Sequence, residues 1–333
     1  MTHLEKSVLA TLVYYDVLDR PLNGWEIFRY GINCQKMGAA PEDGGLSPSF
    51  LSPFCNALEN SRELKKAIGE KNGLYFLRGR EGIVEERIER QKIADKKWKK
   101  ARRVIYFLQL IPFIKLIMVS GSLAMNNTKD KSDIDLLIVS KFGRIWTCRG
   151  LTTLFIHLIG QRRHNNLTKN RFCLNHYLTD KSLKIPFQSL YNAQTYARLT
   201  PIWEEKPPFL YRKFQEENSW VGDYLLFYPL AKKGYLRSVK TSYLLGFFRK
   251  AIESILDNKV GDKLELLLKR FQEGRIKKDP LTNQKGGRVF FNDEQLEFHP
   301  VSPEKLILEK YNQKIRQLRL SELGEEKDSG LAV

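Results

Sequence analysis

Ser120-Gly121-Ser122-Leu123-Ala124, followed after a polar loop by Ser132-Asp133-Ile134-Asp135-Leu136-Leu137-Ile138-Val139, is the stretch on which the reading of this chain turns. The β-rich run Ile114 to Val119 leads into the first half, and Ile134 to Val139 forms the second, so two strands flank a Gly-Ser turn and a short helical stretch. Strand alternation turns Asp133 and Asp135 to one face while Ile134 and Leu136 enter the core. The competing structural reading ends a loop at Ser132-Asp133 and lets Asp135 cap a neighbour. An aspartate inside so apolar a strand is costly in that role.

Two carboxylates on one partly desolvated face repel each other, and a divalent cation is the usual relief. Magnesium (or manganese) prefers carboxylate oxygens together with substrate phosphates, which suits an open ledge facing a metal-bound triphosphate. Gly121 lets the backbone approach closely, Ser122 offers a hydroxyl and an amide to a terminal phosphate, and Ser132 stands beside the first aspartate. ATP or another nucleoside triphosphate is therefore the expected substrate. An acceptor hydroxyl attacks its α-phosphorus and pyrophosphate leaves, with the metal balancing the developing charge.

This G-S turn, spacer and D-x-D arrangement resembles the DNA polymerase β-like nucleotidyltransferase superfamily, and most closely its small bacterial and archaeal nucleotidyltransferase-domain proteins. The likeness covers roughly residues 110–178. It implies that Gly121 and Ser122 grip the nucleotide and that Asp133 and Asp135 are the metal ligands and catalytic carboxylates. Many members carry a third carboxylate on a later strand. Here that strand, Phe172 to Leu178, offers Asn175, with Cys173, Asn175 and Tyr177 expected on one face and His176 on the other; Asp180 lies just past its end as a displaced substitute. His176 and His299, the latter in Phe298-His299-Pro300, are expected to be structural, although either imidazole could serve a base if it reached the cleft.

Near the N-terminus, Thr2-His3-Leu4-Glu5 and Asn23-Gly24-Trp25-Glu26 are capping patterns that open two helices. Lys36 to Ser49 reads as a loop, Phe50 to Ile68 as a third helix, and Leu74 to Arg80 as strand and turn, the order of a winged helix. Between Ile83 and Leu110 a long helix places Ala94, Trp98, Ala101, Ile105 and Leu108 on one face and Lys92, Lys96, Lys99, Lys100 and Arg103 on the other. Arg144 to Ile159 reads as a buried helix. Beyond Asn192 the pattern turns helical again, with Tyr243 to Leu268 its longest stretch, and Trp203, Trp220 and the aromatics from Tyr224 to Phe248 are expected in the core rather than as a base-stacking platform. Lys285 to Arg288 reads as an exposed basic loop.

The expected architecture is α/β (α+β). It has a winged-helix-like domain at 1–82, a basic linker helix at 83–110, a nucleotidyltransferase core at 111–190, a mostly helical C-terminal domain at 191–320 and a flexible tail at 321–333. With 333 residues, several cores are expected. Hydrophobic residues at 42% exclude a disordered chain.

The four cysteines form no CxxC pair, which argues against a zinc site and for reduced, mostly buried thiols. No secretory signal opens the chain, and the run from Val104 to Val119 is too short and too interrupted for a bilayer, so a cytoplasmic protein without membrane contact is expected. A net charge of +18 makes an anionic partner plausible without naming one, since a lysine-rich solvated surface gives the same number. The acceptor is expected to be a hydroxyl of a protein, an RNA or a small molecule. The alternative function is a DNA-binding regulator whose nucleotide-binding transferase domain is catalytically impaired.

Overall fold

The computed structural model describes residues 1–33, 48–164, 167–207, 209–231, 237–283, 287–318, 320 and 325–329. The expected loop from Lys36 to Ser49 lies almost wholly outside the described residues, as do Lys285 and much of the charged tail.

The N-terminal unit comprises α1 (His3–Val17), β1 (Leu22–Asn23), α2 (Gly24–Arg29), α3 (Pro48–Asn60), α4 (Arg62–Ala67), β2 (Ile68–Lys71) and β3 (Leu74–Leu77). Both capping boxes form: the side chains of Thr2 and Asn23 accept from the amides of Glu5 and Glu26, whose carboxylates reach back to the cap amides. The single helix expected over Phe50 to Ile68 is instead two. Ser61 leaves helical geometry and accepts from Leu64 N, and Ile68 already belongs to β2. The strands pair in the order β1-β3-β2.

The helix α1 is buried along every residue from Ser7 to Asp16. It is covered on all sides because α13 (Glu304–Gln317), 300 residues away in the chain, completes its core through Leu308, Tyr311 and Ile315. Lys314 donates to Asp16 Oδ2 at 2.5 Å, and Arg80 to Oδ1 at 2.7 Å, so a buried carboxylate ties the two ends of the chain together.

After α5 (Ile83–Leu108), β4 (Ile114–Val119), α6 (Gly121–Ala124), β5 (Ile134–Ser140), α7 (Ile145–Leu158) and β6 (Phe172–Thr179) follow as expected. The apolar stripe of α5, from Ala94 to Leu108, is buried as its periodicity required. Next come α8 (Leu190–Ala197), β7 (Thr200–Glu204), α9 (Phe209–Glu217), α10 (Val221–Tyr224), α11 (Tyr243–Leu256), α12 (Lys259–Lys278), β8 (Arg288–Phe291) and β9 (Gln295–His299).

These elements build one six-stranded sheet in the order β7-β4-β5-β6-β9-β8. The stretch 191–320, read as mostly helical, thus contributes three of its strands. Only β5 and β6 are parallel, joined through α7; every other neighbouring pair is antiparallel. Helices cover both faces, which is why β4 and β5 are apolar on both sides.

Three other expectations change. The long periodic stretch from Tyr243 breaks at Asp257-Asn258, where Asn258 caps α12. Trp203 and Trp220 are core as expected, but Tyr243 and Phe247 are exposed on α11. Arg288 is not in an exposed loop: it is buried and paired with Glu297 and Glu304. In the tail, residues 325–329 pack back on the body, with Asn312 Nδ2 donating to the Glu326 carbonyl and Ser329 N to Glu304. Among the described residues no helix is long and apolar enough to cross a membrane.

Candidate active site

Where β4 ends, Ser120 N donates to the Asp135 carbonyl at 3.0 Å and Gly121 turns the chain with φ of +64°. An added Cβ at Gly121 would stand 2.4 Å from Asp135 Oδ2, so the turn is pressed against the carboxylate and any side chain there would have to displace it. The loop that delivers Asp133 is held from behind by α5. Lys97, buried, donates to Thr128 Oγ1 at 3.1 Å, to the Lys129 carbonyl at 2.7 Å and to the Ser132 carbonyl at 2.6 Å. Its ammonium has three donors and finds three oxygens.

Asp135 is in register with Cys173 of β6, and the ligand atoms of Asp133, Asp135 and Cys173 lie within 4.8 Å of one another. Arg163 donates to Asp133 Oδ2 at 2.6 Å and contacts Cys173 Sγ at 3.5 Å. Among the described residues no cation is bonded to Asp135, whose side-chain partner is the Cys173 thiol. Burial first, and then the charge of Asp133, push the Asp135 carboxyl up to about 7. The same burial and both carboxylates push the Cys173 thiol above its ordinary value, so it stays protonated.

The alternation expected along β6 is broken. Between Asp135 and Leu137 on β5 there is one residue; between their partners, Cys173 and His176, there are two. This bulge brings His176 to the same face as Cys173 and turns Tyr177 into the core on the other side. The cleft, of about 240 Å³, is lined by Ser120, Gly121, Asp133, Asp135, Asn175 and His176, with α8 and the segment after His299 closing it.

Asn175 Nδ2 faces His299 Nδ1 at 3.2 Å. Donation from the amide requires the tautomer protonated at Nε2, which faces Glu297 Oε1 at 3.7 Å. Burial pushes His176 down to about 3 and His299 down to about 4, so both rings are neutral near pH 7.

The remaining expected residues do not line the cleft. The Ser122 carbonyl accepts from Asn127 N at 2.9 Å, and Ser120 takes its place on the cleft wall. The Ser132 hydroxyl accepts from Lys129 N at 3.2 Å and closes a turn. Asp180 follows the far end of β6, where its Oδ1 accepts from Phe142 N at 2.8 Å, so it is no displaced third acid. Asp133 and Asp135 are the only carboxylates among the described lining residues.

Sequence reasoning missed Arg163, Lys97 and Arg288, none of which stands in a spacing pattern with the aspartates. Two adjacent half-buried carboxylate side chains, of which Asp135 has no cation bonded to it among the described residues, are a donor set that fits a hard divalent ion, with the protonated thiol beside it as a weaker donor. No family model, curated protein or solved structure matches this chain.

Proposed function

We propose that the chain is a nucleotidyltransferase that moves a nucleoside monophosphate, most simply AMP from ATP, to a hydroxyl of a protein, an RNA or a small molecule, releasing pyrophosphate. The observation that carries this reading is the convergence of the Gly121 turn with Asp133 and Asp135 in one cleft, at a contact that any side chain on Gly121 would push apart. Asp133 and Asp135 would hold Mg²⁺ or Mn²⁺, which when bound supplies charge neutralisation for the phosphates and the transition state. The open backbone at Ser120-Gly121 admits a phosphate close to the chain. Arg163, exposed on its outer side and bonded to Asp133, is positioned to exchange that carboxylate for phosphate oxygens once the aspartates turn to a metal. His176 and His299, being neutral, add no positive charge to the cleft.

Asn175 favours a second reading, in which nucleotide is bound but turned over poorly because the position beside the two aspartates is an amide. In that reading the N-terminal unit reads DNA and the cleft regulates it. Incubation with labelled ATP and Mg²⁺, comparing wild type with Asp133→Asn/Asp135→Asn, separates the two. Pyrophosphate release that disappears in the double variant supports the transferase. Mg²⁺-dependent nucleotide binding without release, together with a salt-sensitive shift of duplex DNA, supports the regulator. Absence of Mg²⁺-dependent nucleotide binding would sink both.

A further inference from the structure

A second cavity, of about 860 Å³, is enclosed by α7, α12 and the β8–β9 hairpin. It lies behind the first. Along β8 and β9, Arg288 and His299 face the aspartate cleft, while their neighbours Val289 and Phe298 face this one. Its size falls within the ~300–1,000 Å³ typical of small-molecule sites.

Three guanidinium groups enter it: Arg149 from α7, Arg162 from the segment after α7, and Arg275 from α12. None makes an ion pair among the described residues. Arg149 Nη1 is held by Gln272 Oε1 at 2.5 Å, its guanidinium stacks on Phe298 at 4.6 Å, and its buried Nε has no partner. Arg275 lies over Phe271 at 5.8 Å. The described lining contains one carboxylate, Asp279, whose Oδ1 is engaged by Leu281 N at 2.9 Å. Burial, and then mutual repulsion, lowers the proton affinity of Arg149 and Arg162. The walls between the arginines are apolar, formed by Leu151, Leu154, Leu268 and Phe271.

Like charges gathered in a concave, apolar pocket with no ion pair among the described residues are costly, and an anion is what relieves them. Three guanidiniums suit a phosphate monoester, which carries about −1.5 to −2 near pH 7, better than a lone carboxylate. The guanidinium–ring stacks and aliphatic walls suit a flat apolar body attached to it. We propose that this cavity binds an organic phosphate monoester with an aromatic or heterocyclic body, at a site separate from the aspartate cleft.

The probe is α-naphthyl phosphate, titrated by its own fluorescence against the full chain carrying Asp133→Asn/Asp135→Asn, which silences the front cleft. One saturable site per chain is expected. Inorganic phosphate and α-naphthol should each bind at least about tenfold more weakly, because each satisfies only half of the pocket. Adding Arg162→Gln/Arg275→Gln should weaken binding at least about tenfold, and Thr153→Trp, which fills the cavity and keeps the arginines, should do the same. Non-saturable binding, or affinity indifferent to both sets of substitutions, overturns the proposal. So does affinity that is present in the unsubstituted chain but lost in Asp133→Asn/Asp135→Asn, since that places the ligand in the front cleft. Arg162 and Arg275 are less buried than Arg149, so the folded state should survive their loss, and the circular dichroism melt of each variant checks it.

Discussion

Gly121 and Asp135 stand so close that a methyl group on the first would lie 2.4 Å from Oδ2 of the second, and Gly121 holds φ of +64° to reach that position. A left-handed turn and a half-buried carboxylate thus share one contact, and the substitution Gly121→Ala tests both. It should lower unfolding stability by about 1–3 kcal/mol from the backbone alone and displace Asp135, weakening Mn²⁺ binding. Chemical denaturation and Mn²⁺ titration followed by electron paramagnetic resonance measure the two effects.

The Asp135 carboxyl is held near 7 against an ordinary value of about 3.9. Its folded-state affinity for protons is raised, so in metal-free protein the stabilising, protonated form is fully present below about 4. That contribution is lost as pH rises through 7, with a slope of at most about 1.4 kcal/mol per pH unit. Stability measured by urea titration across this range should fall with pH, and Asp135→Asn should flatten the slope. Mn²⁺ affinity should run the other way, rising with pH up to about 7 because the ion must displace the proton.

Arg163 occupies Asp133 Oδ2 at 2.6 Å, so in metal-free protein it competes with a cation for that oxygen. Arg163→Gln should tighten binding of Mn²⁺ alone several-fold and weaken binding of ATP in the presence of the metal, because one charge-assisted phosphate contact is gone. Calorimetric titration of each ligand distinguishes these opposite signs; a parallel loss of both would mean that Arg163 only holds the loop.

Lys97 carries three oxygens of the loop before Asp133 from a buried position. Lys97→Met removes the ammonium from all three oxygens, while the Lys129 and Ser132 carbonyls keep backbone donors from Ser132 N and Asn170 N, and should cost about 1.5–3 kcal/mol, on the scale of hydrogen bonds to a charged group. Urea denaturation gives the loss, and hydrogen exchange should show increased opening across residues 126–133.

Asn175 meets His299 Nδ1 at 3.2 Å, and His299 is held down to about 4. Asn175→Asp replaces an amide by a carboxylate at that contact, so the His299 pKa should rise, which imidazole proton resonances report directly. If the missing third acid limits the transferase, the same substitution should also raise pyrophosphate release.

Much of the site was legible because it is local. Gly121, Asp133 and Asp135 lie within a span short enough for turn chemistry and strand alternation to dictate their geometry, and the starts of α1 and α2 followed from capping residues alone. The boundary at Ser61 was missed because a mid-run serine looks like helix until its hydroxyl is seen to cap a new one. The β6 bulge was invisible because alternation carries no mark of an inserted residue. It was the bulge, and not the residue types, that put His176 on the cleft face and Tyr177 in the core.

The apolar strands, the Gly121 turn and the pair of aspartates could be read from the chain alone, since each depends on residues close together in it. The six-stranded sheet, in which β7, β8 and β9 join β4, β5 and β6 across long separations, emerges only in the folded chain. So do the Lys97 clasp, the Arg163–Asp133 pair and the His299–Asn175 contact. The physical reason is that a periodic pattern specifies which face of an element is apolar, whereas the partner of that face is selected by packing against elements elsewhere in the chain.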